Sequence, residues 1–325
     1  MRLLKKSIVL SFLLLLSCNI FAQGPQHVNL GTYVTSLYNI DSDKGTFSAD
    51  MWIWTTSPKS YNYNLKDSLE VSYLSSQSPH VYIGQSTDLL EGKTAYSQKK
   101  IQGTFLHDFD LAKFPFDRQR LKIYLEDTDA DITKLEFKAD PSSGYDPSIS
   151  VDGWKIFNLK SYAVVKEYET NFGNFTRSNG VKYSRIAIEI ELKRDAPLIF
   201  FKITLGLFAA VLVAMFSTFM NSESDDIYSA RLGLLGATLL AVVVNQQFAD
   251  GKVGQTTTVT LIDSLHMLGF ATVFLLFLGA IVSRHLHAKE TWGVSHILFD
   301  RALFISSLTI FSIIGFIMVN SAISA

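Results

Sequence analysis

Four long apolar runs in the second half of this 325-residue chain constrain its fold more than any other feature of the sequence. An α-helix needs roughly 20 residues to cross the hydrocarbon core of a bilayer, and each run is about that long. We therefore expect an all-α transmembrane domain over residues 198–325. All seven prolines lie at or before Pro197, which marks the boundary of that domain. The expected helices cover about residues 198–219, 230–249, 259–283 and 300–322.

Residues 1–22 have the pattern of a secretory signal peptide. Basic residues precede a short apolar run, and Ala22 offers a small residue for cleavage. Two alternatives stay open: an uncleaved first transmembrane helix and a lipid-modified Cys18. Cys18 is the only cysteine of the sequence, so cleavage would leave a mature chain without a disulfide.

Residues 23–197 alternate apolar and polar side chains with a period of two, which predicts half-buried antiparallel strands. The clearest strands are Thr46–Thr55, Leu121–Asp127 and Ser184–Lys193, and turn-rich stretches separate them. Many short strands between turns favour a sandwich over a parallel sheet. We expect an exported, all-β, immunoglobulin-like sandwich ahead of the helices.

This β-rich half contains no HExxH motif, no GxSxG motif, no phosphate-binding loop and no cluster of cysteine and histidine. The net charge of −1 offers no broadly basic surface for nucleic acid. We therefore expect a ligand-binding domain and no enzyme, cofactor or metal site. His107 is interpreted as a solvated strand-end residue, and His285, His287 and His296 are interpreted as interfacial residues.

The second apolar run, within Ser229–Asp250, carries a graded stripe of side chains. Steps of four, three, four and three residues place five positions on one helix face. They are Gly233, Ala237, Leu240, Val244 and Gln247. The stripe is small at its start, bulky in its middle and polar at its end. A ring of leucines stops ions by excluding water, so the stripe suits a pore. An ordinary packed helix, whose small residues let neighbours approach, is the alternative.

Two motifs and their order along the chain are similar to those of one family. Phe114-Pro115-Phe116-Asp117 lies between two predicted strands, and Ala230-Arg231-Leu232-Gly233-Leu234 opens the second apolar run. Further matches, in chain order, are Arg194, Pro197, Leu261-Ile262-Asp263-Ser264-Leu265-His266 and Phe299-Asp300-Arg301. This ordered set resembles the pentameric ligand-gated ion channels of the Cys-loop receptor superfamily, in particular prokaryotic members that lack the Cys-loop disulfide.

The resemblance implies a homopentamer whose second helix lines the pore, with Leu240 as the hydrophobic gate. It places the Phe114 loop at the base of an extracellular sandwich, against the linker between the second and third spans. The residues that would couple ligand binding to opening are Asp41, Asp43, Phe114, Pro115, Phe116, Asp117 and Arg194. The first span lacks the mid-helix proline common in the family, and the linker over residues 250–258 has no proline either.

The family binds its agonist between subunits, in an aromatic pocket with a flap between two late strands. The corresponding flap here is Tyr168–Gly180. The expected ligand-binding residues are Trp54, Tyr168, Phe172, Phe175 and Arg177. Each aromatic residue has the alternative of ordinary packing in the core or on the surface. The expected agonist is a small molecule, a proton or an ion.

Three acidic residues, Glu223, Asp225 and Asp226, precede the second span. In five copies they would form rings at the pore mouth that attract cations, whereas the alternative is a solvated loop. The motif Ala230-Arg231-Leu232-Gly233 resembles that of the anion-selective members. Arg231, however, lies about 200° around the helix from Gly233, so we expect its side chain to point away from the pore axis. We therefore expect a preference for cations.

The expected location is the plasma or inner membrane, with lipid contacts and with the N-terminal domain and the C-terminus outside the cytoplasm. A non-conducting, membrane-anchored ligand-binding sensor is the alternative function, although one anchor helix would serve it. A secondary transporter fits less well, because the four spans show no inverted repeat.

Overall fold

The computed structural model describes residues 24–61, 63–73, 75, 86–90, 94–173, 180–220, 223–254, 258–288 and 295–324. Only the backbone is described at residues 86–90 and 252. The predicted signal peptide lies outside the described residues.

Ten strands in the described residues form two sheets. The strands are β1 (Gln26–Asp41), β2 (Thr46–Pro58), β3 (Leu69–Ser72), β4 (Ser86–Leu90), β5 (Thr94–Leu106), β6 (Arg118–Asp127), β7 (Leu135–Ala139), β8 (Gly144–Tyr145), β9 (Trp154–Tyr168) and β10 (Val181–Arg194). A short helix, α1 (Leu65–Ser68), precedes β3. The first sheet has the order β4-β5-β2-β1-β7, with β8 also paired to β1, and the second has the order β3-β6-β10-β9.

The two sheets enclose one core, which confirms a sandwich. The apolar face of the predicted alternation is buried in both sheets: Phe47 and Met51 from β2 are fully buried, as are Ile123 from β6 and Ile188 from β10. The other face of β10 was predicted to be polar and exposed, and this prediction is wrong for its middle, where Arg185 and Glu189 are buried as well. Burial of each such side chain contributes about 1.5–3 kcal/mol to folding. The finer immunoglobulin-like topology stays a prediction.

The expectation of purely antiparallel strands is wrong at one edge. Strands β7 and β8 both pair with β1 in parallel, with Gln26 opposite Leu135 and Tyr33 opposite Gly144. A period of two reports which face of a strand is buried, but it does not report the direction of the neighbouring strand. The chain reaches this edge by crossing from β6 in the second sheet to β7 in the first.

One lysine lies among the inward-facing residues of the sandwich. Lys99 on β5 is 2% exposed. Its Nζ donates hydrogen bonds to the backbone oxygens of Leu65 and Leu69 at 2.9 and 3.3 Å. Burial lowers the pKa of Lys99 to about 8, because the interior disfavours the charged form.

Four long helices follow the sandwich: α2 (Ala196–Phe216), α3 (Asp225–Val253), α4 (Leu261–Ala288) and α5 (His296–Ser324). A 3₁₀ turn, Ser217–Phe219, extends α2. All four helices are long and apolar enough to cross a membrane. Much of their apolar surface is exposed, above all on α5, which is the architecture of a multi-pass membrane protein.

Helix α3 is longer than predicted at both ends. It begins at Asp225 instead of about residue 230, and it continues to Val253 instead of 249. Hydropathy marks only the apolar part of a helix, whereas polar turns can continue the backbone hydrogen bonds. Asp225 and Asp226 suit the first turn, where the helix dipole favours negative charge. These two residues therefore belong to a helix and not to a loop.

Candidate functional site

The base of the sandwich rests on the ends of the helices through two connections. In the loop between β5 and β6, the backbone oxygen of Ala112 accepts a hydrogen bond from the first residue of α4, Leu261, at 3.0 Å. The ring of Phe116 lies 5.3 Å from that of Phe200 on α2, between centroids. In the turn between β1 and β2, the hydroxyl of Ser42 donates to the backbone oxygen of Val253 at 3.3 Å.

The β1–β2 turn fits closely against the end of α3. Gly254 ends this helix with a φ of +84°, and a Cβ built there would lie 2.7 Å from the Cβ of Asp43. Asp41 holds the turn by accepting hydrogen bonds from the Lys44 ammonium and from the backbone of Lys44 and Asp43. The Lys44 ammonium and these N–H groups lower the pKa of Asp41. The backbone N–H of His107 donates to Gly45 at 2.8 Å, so the turn and the neighbouring loop are joined.

A buried ion pair joins the β5–β6 loop to the end of β10. Nε and Nη2 of Arg194 donate to the two carboxylate oxygens of Asp117 at 2.7 and 3.1 Å. The guanidinium also lies 4.0 Å from the ring centroid of Trp154 and 4.8 Å from that of Phe114. Gln119 donates a further hydrogen bond to Asp117 at 2.8 Å. The structure thus fixes the position of this loop relative to β10.

Phe114 carries the contact from this ion pair into the helices. Its side chain is buried in a cluster with Ile203 of α2, Val253 of α3 and Ile262 of α4. The Phe114–Pro115 peptide bond is cis. All seven residues that the sequence associates with coupling therefore lie at the junction, in the β1–β2 turn, the β5–β6 loop or the end of β10. Sequence reasoning missed Trp154, which stands in the sequence only as an isolated aromatic after Gly153.

The predicted stripe of α3 is solvent-exposed along its whole length in the single chain. Its members are Gly233, Ala237, Leu240, Val244 and Gln247. Leu240 at its centre is 63% exposed. The opposite face packs within the chain and includes the buried residues Arg231, Leu235, Thr238, Val242 and Ala249. The five stripe positions are thus not used to pack this helix against α2, α4 or α5.

The three acidic residues lie at the beginning of α3 or just before it, and all are exposed. Asp225 forms an ion pair with Arg284 of α4, which also donates a hydrogen bond to the backbone oxygen of Glu223 at 2.7 Å. Arg231 turns away from this end and binds Asp300 of α5. Arg284 is therefore one cation that contacts these acidic residues, and the sequence pattern did not indicate it.

An aromatic cluster lies on the second sheet beside the predicted flap. Ring centroids are 5.4 Å apart for Tyr168 and Phe172 and 5.7 Å apart for Tyr168 and Tyr183. The hydroxyl of Tyr168 donates to Glu126 at 2.8 Å, and Nε of Arg185 donates to the same carboxylate. Burial, and then the hydrogen bond to Glu126, raise the pKa of Tyr168 to about 12.

The guanidinium group of Arg185 packs against this aromatic cluster. Its guanidinium lies 5.5 Å from the ring centroid of Tyr168 and 5.6 Å from that of Tyr124. Arg185 and Glu126 are both buried, although the alternation pattern assigned them to a polar outer face. Tyr183 and Arg185 are two residues apart on β10 and therefore lie on the same face of the strand. This spacing was the signal in the sequence that connects them.

One further expected ligand-binding residue, Trp54, lies apart from this cluster. Trp54 lies on β2, in the other sheet, and its indole N–H donates to Asp140 at 2.8 Å. Phe175 and Arg177 lie outside the described residues.

The interpretation of His107 as a solvated residue is wrong. Its ring packs edge-on against Phe47 and Phe109, at centroid distances of 6.2 and 4.6 Å. Burial lowers the pKa of His107, because the protonated ring is disfavoured there. Phe47 comes from β2, and Phe109 lies two residues after His107 in the same loop. The charge of the neighbouring Asp108 was therefore a poor guide to the solvation of His107.

The chain matches no protein-family model, and no curated protein matches it significantly.

Proposed function

We propose that this chain is the subunit of a homopentameric ligand-gated ion channel, with a pore lined by α3 and an exported sandwich that binds the agonist. Two features of α3 support this proposal most directly. Its graded stripe is exposed, and the sandwich contacts both the end of α3 and the beginning of α4. A membrane helix used only as an anchor would need neither feature.

The pore assignment depends on which surface the stripe faces. The chain buries the opposite face of α3, so the stripe meets lipid or other copies of the chain. The amide of Gln247 would gain nothing from lipid, where a polar group without partners costs free energy. Around a five-fold axis the same stripe forms successive rings, and the Leu240 ring closes the pore by excluding water.

The route from ligand to pore follows β10. Arg185, in the aromatic cluster, and Arg194, at the junction, are nine residues apart on this strand, about 30 Å at ~3.3 Å per residue. A ligand that displaces the aromatic cluster would shift β10 and hence the Arg194–Asp117 pair. Asp117 belongs to the loop that contacts α2, α3 and α4, so the shift reaches the pore helix. The agonist is a small molecule, a proton or an ion.

Glu223, just before α3, and Asp225 and Asp226, in its first turn, form the cytoplasmic mouth in this proposal and favour cations. The sandwich and the C-terminus lie on the other side of the membrane. Asp226 is exposed, so five copies add negative charge around the entrance even where Asp225 is paired with Arg284.

The test uses the full-length protein in lipid bilayers, with currents recorded against pH, divalent cations and small amines. Leu240→Ser should raise the basal current or the agonist sensitivity, because a hydroxyl makes the ring wettable. Ile310→Ser on α5 is the matched control, because Ile310 is similarly exposed but lies on another helix. It should leave the current unchanged.

Native mass spectrometry in detergent should show five copies of the chain. A stable monomer or dimer would contradict the assembly. Ligand binding without any current, in wild type and in Leu240→Ser alike, would favour the non-conducting sensor.

A further inference from the structure

Three metal-ligating side chains from separate segments meet at the end of the helix bundle where α3 begins. Glu223 lies just before α3, His287 lies in the last turn of α4, and His296 is the first residue of α5. One donor atom of each, a carboxylate oxygen or a ring nitrogen, lies within 4.8 Å of the other two. The fold therefore brings Glu223, which is distant in the sequence, together with one histidine from each of the two helices that follow α3.

The geometry of this cluster suits a small ion. Nε2 of His296 lies 3.3 Å from Oε1 of Glu223, and the ring centroids of His287 and His296 are 4.9 Å apart. Zinc holds nitrogen and oxygen ligands at about 2.0–2.2 Å, which puts neighbouring ligand atoms of a tetrahedron about 3.3–3.5 Å apart. The Glu223–His296 pair already has that spacing, and the donor atom of His287 lies within 4.8 Å of both partners.

The surroundings of His296 suit a metal ligand as well. Its side chain is 14% exposed, and its buried Nε2 lies 3.3 Å from the Glu223 carboxylate without the geometry of a hydrogen bond. A metal ion between the two groups would take the ring nitrogen and the carboxylate oxygen as ligands. Glu223 is about half exposed, so the cluster remains open to solvent on one side. A metal ion could enter there and keep a water molecule as its fourth ligand.

We propose that Glu223, His287 and His296 form a binding site for Zn²⁺. Two imidazoles and one carboxylate are a donor set of protein zinc sites. Bound metal would link the segment before α3 to the adjoining ends of α4 and α5. The site concerns the folded chain itself and does not depend on whether the protein conducts ions.

Direct metal binding tests the proposal. Full-length protein, purified without a histidine tag and freed of metal by a chelator, is titrated with Co²⁺ as a spectroscopic probe and then with Zn²⁺. We expect one equivalent of Co²⁺ per chain, with the visible absorption of a four-coordinate ion, displaced by Zn²⁺. Zn²⁺ should also raise the Tm, because it binds the folded state.

Variants assign the ligands. His287→Ala and His296→Ala should each weaken binding at least tenfold and abolish the zinc-dependent rise in Tm, and Glu223→Gln should weaken binding in the same direction. His285→Ala is the matched control, because His285 is exposed, lies two residues before His287 and is outside the cluster. It should bind the metal as wild type does.

Two results would overturn the site: no saturable binding to wild type, or binding that His287→Ala and His296→Ala retain. The Tm without metal shows whether each variant is folded. If His296→Ala lowers that Tm, His296→Gln replaces it, since the amide keeps a polar group of similar length. Metal bound as tightly to folded His296→Gln as to wild type would also refute the proposal.

Discussion

The buried ion pair between Arg231 and Asp300 should dominate the stability of the helix bundle. Nη1 and Nη2 of Arg231 donate to the two oxygens of Asp300 at 3.1 and 2.9 Å. The hydroxyl of Ser283 donates to the same carboxylate at 2.7 Å. The side chains of the pair are 0% and 5% exposed. One carboxylate thus connects α3, α4 and α5.

Asp300→Asn removes the negative charge and leaves the guanidinium buried opposite a neutral amide. Breaking a buried pair in this way costs about 3–5 kcal/mol, because the remaining charge has lost both its solvent and its partner. At 1.4 kcal/mol per factor of ten, the folding equilibrium falls about 10²- to 10⁴-fold. The same change at Asp225, whose side chain is 87% exposed, should cost about 1 kcal/mol or less.

The assay is thermal unfolding in mild detergent, followed by circular dichroism at the helical bands. Asp300→Asn should lower the Tm far more than Asp225→Asn. The double variant Arg231→Met, Asp300→Leu should recover most of the loss, because it leaves no buried charge, although Ser283 loses its acceptor. Equal effects of the two single changes, or a double variant as unstable as Asp300→Asn, would refute the reasoning.

Three further predictions concern the junction, the sandwich core and the pore mouth. Phe116→Ala should reduce the maximal current while ligand binding stays nearly intact, because it removes the ring contact with Phe200 of α2. Equal losses of binding and current would instead indicate misfolding. The pKa of Lys99 is about 8 in the folded state and about 10.4 in the unfolded state. Between these two pH values the unfolded state binds more protons than the folded state, so the free energy of unfolding rises with pH. Denaturant unfolding should show that rise in wild type and a flatter profile in Lys99→Met. Asp225→Asn with Asp226→Asn should lower the preference for cations, measured as a reversal potential in a salt gradient; an anion-selective wild type would contradict the expected sign.

Local patterns predicted the layers of this fold well. Phe47, Met51 and Ile123 are buried as their alternation requires, because a strand residue's position fixes the face that it occupies. The same holds for the stripe of α3, where Leu240 is exposed and Val242 buried, since a helix turns about 100° per residue.

Long-range polar contacts could not be predicted in this way. Arg185 and Glu126 are separated by 59 positions, and Arg231 and Asp300 by 69, so no spacing rule connects them. The burial of Lys99 could not be predicted from the sequence for another reason. Every second residue of β5 faces inward, but that set includes polar residues as well as Ile101, so the period of two is blurred.

Two connections from the sandwich reach the end of α3, and they come from different parts of the sandwich. The β1–β2 turn belongs to the first sheet, whereas the β5–β6 loop crosses between the sheets and is fixed to β10 of the second by Asp117 and Arg194. Both reach the end of α3 at Val253, the turn by a hydrogen bond and the loop by apolar packing. A rotation of one sheet against the other would therefore act on the same helical turn through two separate contacts. We infer that the end of α3 responds to the relative position of the sheets, which a ligand beside β9 and β10 can change without moving the sandwich as a whole.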